Sequence, residues 1–255
     1  MSSITYEQPL NERIRTFLRI EHLFDLAEHH LELESNWDCR QAIAALLDIT
    51  DILSRSDIKS ELVKELERHS GTLSTLKQNP GVDDERLEQI MEDLSHFLTS
   101  LREPTCQPGQ TLRQDELINF VRQRASIQGG ACNFDLPGYH HWLHLPWTVR
   151  KNQLHIWQAD LLVIKKSLKL SLLMLRNSSN PTTEVAPEGF FQRPMEAGLG
   201  CQLIRVKLPE DSPYYPEISG GKHRFSIRFL EQPDTGKRPV QTSDSVEFRL
   251  HCCVL

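Results

Sequence analysis

The apolar residues of this chain keep a helical spacing up to about residue 177 and alternate with a period of two beyond residue 183. A pattern that switches once in this way constrains the chain to build helices first and strands second. In the first part, Ile14, Phe17, Leu18, Phe24, Ala27 and Leu31 recur at intervals of three and four. They follow Asn11, which can cap a helix, and Glu12, which suits its positive start. Further helical stretches run from Trp37 to Leu53 and from Asp57 to Leu76, the latter closed by Asn79-Pro80-Gly81. Another follows Asp83-Asp84-Glu85, with Leu87, Ile90, Leu94, Phe97 and Leu101 on one stripe. A short one covers Asp115–Ala125, and a long one Trp147 to Arg176. Six or seven helices of this kind predict a bundle.

The polar link Asn177 to Thr183, with Pro181 inside it, ends the helical pattern. Beyond it, Ile204, Val206 and Leu208 alternate with Arg205 and Lys207. Phe225, Ile227 and Phe229 alternate with Arg224, Ser226 and Arg228, and Val246, Phe248 and Leu250 with Glu247 and Arg249. These are half-buried antiparallel strands. The expected fold class is therefore α+β, with an N-terminal helical bundle domain (1–178) followed by a small, sandwich-like antiparallel β domain (179–255). With 255 residues the chain is long enough for two such cores. No apolar run approaches the ~18 residues of a membrane helix, so no membrane insertion is expected. The first residues, MSSITYEQPLNER, lack the apolar centre of a secretory signal, and the six cysteines show no C-x-x-C spacing. Reduced thiols in a cytoplasmic protein are the expectation.

Enzyme signatures are missing: there is no P-loop, no G-x-S-x-G, no H-E-x-x-H and no dinucleotide fingerprint. Ser219-Gly220-Gly221-Lys222 resembles a phosphate loop only superficially, because a strand follows it where an anion site needs a helix start; it reads as a turn. His140, His141 and His144 form the one cluster that suggests metal chemistry, since His140 and His144 would share a helix face. A metal-dependent enzyme built on them is the alternative reading, weakened by the lack of a nearby third ligand type and of a glutamate base. No cofactor and no metal site are expected. Cys252 and Cys253, adjacent in a strand, point to opposite faces, so one is expected in the core and the other exposed.

The basic positions are the better lead. Residues 179–255 carry 9 Lys+Arg against 10 Asp+Glu, and the whole chain is at −6, so nucleic-acid binding is not expected. Yet Lys222, Arg224 and Arg228 stand on one face of one strand, and Arg205 and Lys207 offer a similar face that could lie beside it. Arg15, Arg19 and His22 form a helical stripe, and Arg122 and Arg124 add two more cations. An isolated surface charge usually means no more than a solvated ion pair. Several arginines on a rigid strand point to recognition of carboxylates or an acidic peptide.

Several segments together resemble one family. PLNERIRTFLRIE (9–21), LLDITDILSRSDIKSELVKELER (46–68), VRQRASIQGGACNFDLPGYHHWLHLP (121–146), YPEISGGKHRFSIRF (215–229) and the Phe248…Cys252-Cys253 ending are similar to the ZapD (YacF) family of bacterial cell-division factors. The resemblance covers essentially the whole chain. It implies a non-enzymatic cytoplasmic protein at the division site, a symmetric homodimer of helical and β domains. Its implied activity is to bind the C-terminal tail of the tubulin-like protein FtsZ and to crosslink its filaments. On matching positions the family's basic surface falls on Arg19, Arg55, His140, Arg224 and Arg228; Lys222 and Arg122 are added from strand and helix geometry. Glu116 departs from the pattern, since relatives can be basic there, and Val254-Leu255 extend past the Cys-Cys ending.

Overall fold

The computed structural model describes residues 2–76, 83–195, 200–221 and 223–254. Among the described residues the order of elements is a strand, nine α-helices and then seven strands, and the chain divides into two compact units. One comprises Phe17–Ser171; the other joins Met1–Thr16 to Leu172–Leu255.

The helices are α1 (Glu12–Leu31), α2 (Asn36–Arg55), α3 (Ile58–Leu76), α4 (Asp84–Arg102), α5 (Gln110–Gln114), α6 (Glu116–Ala125), α7 (Pro137–Leu143), α8 (Trp147–Gln158) and α9 (Leu162–Arg176). Asn11 does cap α1, its Oδ1 accepting from the Ile14 amide at 2.9 Å. Ser35, Asp83 and Asp115 cap α2, α4 and α6 in the same way. Asp115 also accepts from the Trp157 indole N–H at 2.8 Å, which ties the start of α6 to α8. The long helix expected over 147–176 is broken by a 3-10 turn at Ala159–Leu161, where Asp160 turns aside to receive the amides of Gly109 and Thr111. The proposed stop at Asn79-Pro80-Gly81 lies outside the described residues. The bundle core is built by the predicted stripes, with Phe17, Ile20, Phe24, Leu46, Leu62, Leu66, Leu94, Ile164 and Leu168 fully buried.

The β unit contains two antiparallel sheets. The first runs in the order β1 (Ser3–Pro9), β4 (Cys201–Pro209), β8 (Val246–Val254), β2 (Thr182–Ala186). The second is β3 (Phe190–Pro194), β6 (Arg224–Glu231), β5 (Tyr214–Gly220), with the two-residue β7 (Val240–Gln241) also on β6. Ile204, Val206, Phe248 and Leu250 of the first sheet and Phe225, Ile227 and Phe229 of the second share one core. The fold is thus α+β with a sandwich-like β part, as the change of period implies. The chain passes from one sheet to the other through Pro187–Gly189. Gly189 there has φ +67°, and a Cβ would meet the Thr242 carbonyl oxygen at 2.8 Å, so only glycine fits.

Strand β1 is one of several short elements, with α5, α7, β2, β3, β5 and β7, that the sequence reading does not contain. It pairs residue for residue with β4, Glu7 opposite Arg205, and is held by charge as well as by the ladder. Arg176 grips the Glu7 carboxylate with two hydrogen bonds (2.9 and 2.8 Å), and Arg205 Nε adds a third at 2.8 Å. Burial pushes the Glu7 carboxyl up, but the hydrogen bonds and charge of Arg176, with those of Arg205, outweigh it and hold the group below its ordinary value. A depressed folded-state pKa stabilises the fold at any pH above the unfolded value near 4.5, and that contribution is lost as pH falls through the folded value. Glu7→Gln is expected to lower unfolding free energy at pH 7 by about 3 kcal/mol, the low end for breaking a buried pair. The difference from wild type should shrink on acidification, which urea titrations at pH 7 and pH 3 would check.

Candidate functional site: a cationic strand face

Strand β6 forms its alternation against a single core, so Phe225, Ile227 and Phe229 turn inward while Arg224 and Arg228 stand exposed. Four residues at ~3.3 Å each put their Cα atoms about 13 Å apart along the strand. The register completes the face. Phe190, Gln192 and Pro194 of β3 lie opposite Arg228, Ser226 and Arg224, and Glu217 and Ser219 of β5 lie opposite Arg228 and Ser226. Phe190 is 41% exposed. The face therefore alternates guanidinium groups with an accessible aromatic ring and small polar residues, a surface suited to a peptide that carries carboxylates beside apolar groups.

The two arginines differ. Arg228 donates through Nη2 to Glu217 Oε2 at 2.7 Å, with both side chains 56% exposed. Arg224 has no ion pair among the described residues. Lys222, expected on the same face, lies outside the described residues. The turn reading of this segment does hold: the Gly221 amide closes onto the Arg224 carbonyl at 2.9 Å. The expectation that Arg205 and Lys207 lie beside this strand is overturned. They sit on β4 of the other sheet, and Arg205 is engaged with Glu7.

The remaining expected residues belong to the helical unit. Arg19 is exposed on α1, and Arg55 is the exposed last residue of α2. Arg122 is in the last turn of α6, and His140 is exposed on α7, a helix that packs on α6. Arg55 and Arg122 also have a structural reason for their places, because cations favour helix C-termini. Arg122 is nonetheless poorly provided for: its Nε and Nη2 are buried and find no hydrogen-bond partner among the described residues. Glu116, the departure noted from the resemblance, is an exposed residue in the first turn of α6, a position that favours an acid.

The histidine alternative loses its geometry. The His140 and His144 rings lie 4.4 Å apart, and His144 Nδ1 is within 2.7 Å of the His140 carbonyl oxygen, so that nitrogen is already occupied. Among the described residues no group of three or more His, Cys, Asp or Glu side chains is placed to hold a metal ion. A second set, Glu65, His69 and Ser171, has the residue types of a hydrolase triad, with His69 Nε2 3.0 Å from Ser171 Oγ. All three are sealed from solvent, so the set joins α3 to α9 inside the bundle and no substrate reaches it.

Sequence reasoning missed Phe190 and Glu217. Glu217 follows by counting once the turn at Gly221–Arg224 is fixed, because each pair in the hairpin is then set. Phe190 carries no such signal, since the pairing of β3 with β6 is long-range.

A helical unit and a β sandwich that carries an exposed cationic strand face define an α+β protein with a surface suited to acidic segments. Comparison with known proteins narrows this to the cell-division machinery. A family model described as "ZapD: Cell division protein" matches residues 18–228. Proteins named "Cell division protein ZapD" are similar over nearly the full length of both chains. The one from Methylococcus capsulatus is 40% identical over 254 residues, covering 100% of this chain and 99% of its own. That from Klebsiella pneumoniae is 39% identical over 251 residues (98% of each), and that from Coxiella burnetii 35% over 253 (99% and 98%). The chain belongs to the ZapD family of cell division proteins. Among the described residues no helix is long and apolar enough to cross a membrane.

Arg122 offers a test that separates recognition from stability. Buried donors without partners cost about 1–3 kcal/mol. Arg122→Met is expected to raise the unfolding free energy by about 1 kcal/mol, read from urea denaturation, whereas an arginine retained for packing alone would lose stability on replacement.

Proposed function

We propose that this protein binds the C-terminal tail of FtsZ and crosslinks FtsZ filaments, acting as a homodimer in the cytoplasm at the division site, without catalysis. The single observation that carries this reading is the outward face of β6. There Arg224 and Arg228 are exposed on a rigid strand, beside Phe190, in a chain of net charge −6 that has no general basic surface. The proposed contact residues are Lys222, Arg224 and Arg228 on the β unit and Arg19, Arg55, Arg122 and His140 on the helical unit. Membership of a cell-division family supplies the context.

The physics of crosslinking then follows from valence. One site decorates a filament; a twofold dimer presents two copies and bridges neighbours, with avidity from the repeated tails along each polymer. A flexible tail must become ordered on binding, which keeps each contact weak. Charge-assisted hydrogen bonds of ~1.5–3 kcal/mol would supply much of the attraction. Exposed charges are screened beyond ~8 Å at physiological ionic strength, so binding should weaken with salt.

Co-sedimentation with GTP-assembled FtsZ, full-length against a form lacking the tail, tests the reading. Pelleting and bundling are expected only with the tail present. Association that ignores the tail, or none with either form at low salt, would overturn it. Arg224→Ala with Arg228→Ala should leave the melting curve unchanged and weaken binding at least tenfold, since each charge-assisted bond is worth ~1.5–3 kcal/mol. Glu217→Gln acts in the opposite direction. It releases Arg228 from an exposed pair worth at most about 1 kcal/mol and is expected to tighten binding by up to about fivefold.

A further inference from the structure

A different chemistry lies inside the β sandwich, where strands β4 and β8 bring two thiols onto one face. The ladder places Leu203 opposite Cys253 and Ile204 opposite Cys252, but Cys201 stands opposite Val254. One extra residue, Gln202, is therefore inserted on β4. Such a bulge changes the face to which the preceding residue points. It returns Cys201 to the face of Ile204, where both Cys201 and Cys252 pack against the shared core. The two sulfurs line one cavity of about 190 Å³ together with Arg193, Met195 and Phe225. Both cysteines are half-buried, whereas Cys253 points the other way, is fully buried, and lies 3.9 Å from the Arg176 carbonyl oxygen. The expectation of one core and one exposed cysteine at the C-terminal pair is thus corrected in part: Cys253 is in the core, but Cys252, on the inner strand β8, is half-buried.

The pair is polarised. Cys201 Sγ lies 3.8 Å from the Leu203 carbonyl oxygen, and the residue shares the cavity with Cys252. The neighbouring Cys201 thiol, aided by the Arg193 guanidinium and opposed by burial, lowers the Cys252 thiol below its ordinary value, while Cys252 and burial push Cys201 up. Arg193 is itself anchored by Glu184 of β2 and lies over the Phe191 ring at 5.5 Å, so its charge stays at the cavity. Elsewhere burial pushes the thiols of Cys39 and Cys106 up, and Cys132 is exposed with no cysteine partner.

We propose that Cys252 and Cys201 form an oxidisable dithiol: hydrogen peroxide converts Cys252 to the sulfenic acid, and Cys201 closes on it to give a disulfide between β4 and β8. In the first step the Cys252 thiolate attacks one peroxide oxygen. An S–O bond forms, the O–O bond breaks, and the departing hydroxide takes a proton to become water; sulfur loses the two electrons that peroxide gains. In the second step Cys201 gives up its proton and attacks the Cys252 sulfur, and the S–O bond breaks as hydroxide leaves with that proton as a second water. Two thiols and one peroxide thus become one disulfide and two waters, and no other oxidant is required. Arg193 is the positioning residue that favours the thiolate. The site is separate from the outward face of β6 and needs no partner protein.

The test uses the full-length reduced protein at pH 7, treated with an equimolar amount of hydrogen peroxide and then blocked with N-ethylmaleimide before digestion and mass spectrometry. A peptide containing Cys201 joined to the one containing Cys252, lighter by two hydrogens, is the expected product, with fragmentation assigning the bond to Cys252. In Cys201→Ser the reaction should stop at a dimedone-reactive sulfenic acid on Cys252. Arg193→Met should slow alkylation of Cys252 by iodoacetamide severalfold and move its pH midpoint upward. Oxidation at exposed Cys132 without a Cys201–Cys252 bond would overturn the proposal, as would a sulfenic acid confined to other cysteines. Because Cys252→Ser can loosen the sheet, the alkylation profile of the wild-type protein provides an independent reading: a Cys252 midpoint no lower than that of free cysteine also overturns it.

Discussion

A single carboxylate, Glu7, ties three separate parts of the β unit together. It lies on a strand from the start of the chain, receives Arg205 from the neighbouring strand, and receives Arg176 from the end of the last helix. Remove the carboxylate and two guanidinium groups, each about one-fifth exposed or less, remain close together, since Arg205 Nη1 also reaches the Arg176 carbonyl oxygen. Neither can return fully to water without releasing β1. The price of the arrangement is loop closure: β1 and β4 meet across some two hundred residues, a cost that grows only as the logarithm of the separation. Three charge-assisted hydrogen bonds and a seven-residue ladder offset it.

That constraint reaches the cationic face indirectly. With β1 in place the first sheet is four strands wide, and its inner side gives Phe225, Ile227 and Phe229 of β6 a complete apolar surface to pack against. Strand alternation then leaves Arg224 and Arg228 no choice but to point outward. Their orientation is thus a by-product of core packing and does not rest on any polar contact of their own. A face fixed from behind in this way keeps its cations at constant spacing without giving up their exposure, which is what recognition of a flexible acidic segment requires.

The main features of the fold were legible because burial imposes periodicity. The stripes on α1 to α4 and the alternation in β4, β6 and β8 all reappear as buried faces. What was illegible had weak or distant signals. Strand β1 alternates Ile4 and Tyr6 with Thr5 and Glu7, but it is an edge strand only partly buried, and its partner is near residue 206. Helix α5 has five residues, too few to show a period, and the 3-10 turn at Ala159–Leu161 preserves a three-residue spacing that reads as continuous helix. At the site, Arg224 and Arg228 were readable from alternation alone. That Arg205 is structural was not, because its partner Glu7 is remote in sequence.

The arginines of the β unit form a graded series that separates structure from recognition. Arg176 and Arg205 are largely buried and share one carboxylate, so replacing that carboxylate with another from outside would cost several kcal/mol. Arg193 is intermediate, held by Glu184 at the edge of the thiol cavity. Arg228 is paired with Glu217 where both side chains are more than half exposed, so the pair is worth at most about 1 kcal/mol and exchanges readily for a carboxylate from another molecule. Arg224, with no ion pair among the described residues, has no internal partner to give up. Binding energy is available only where the fold does not already use the charge, and Arg224 and Arg228 on the outward face of β6 meet that condition.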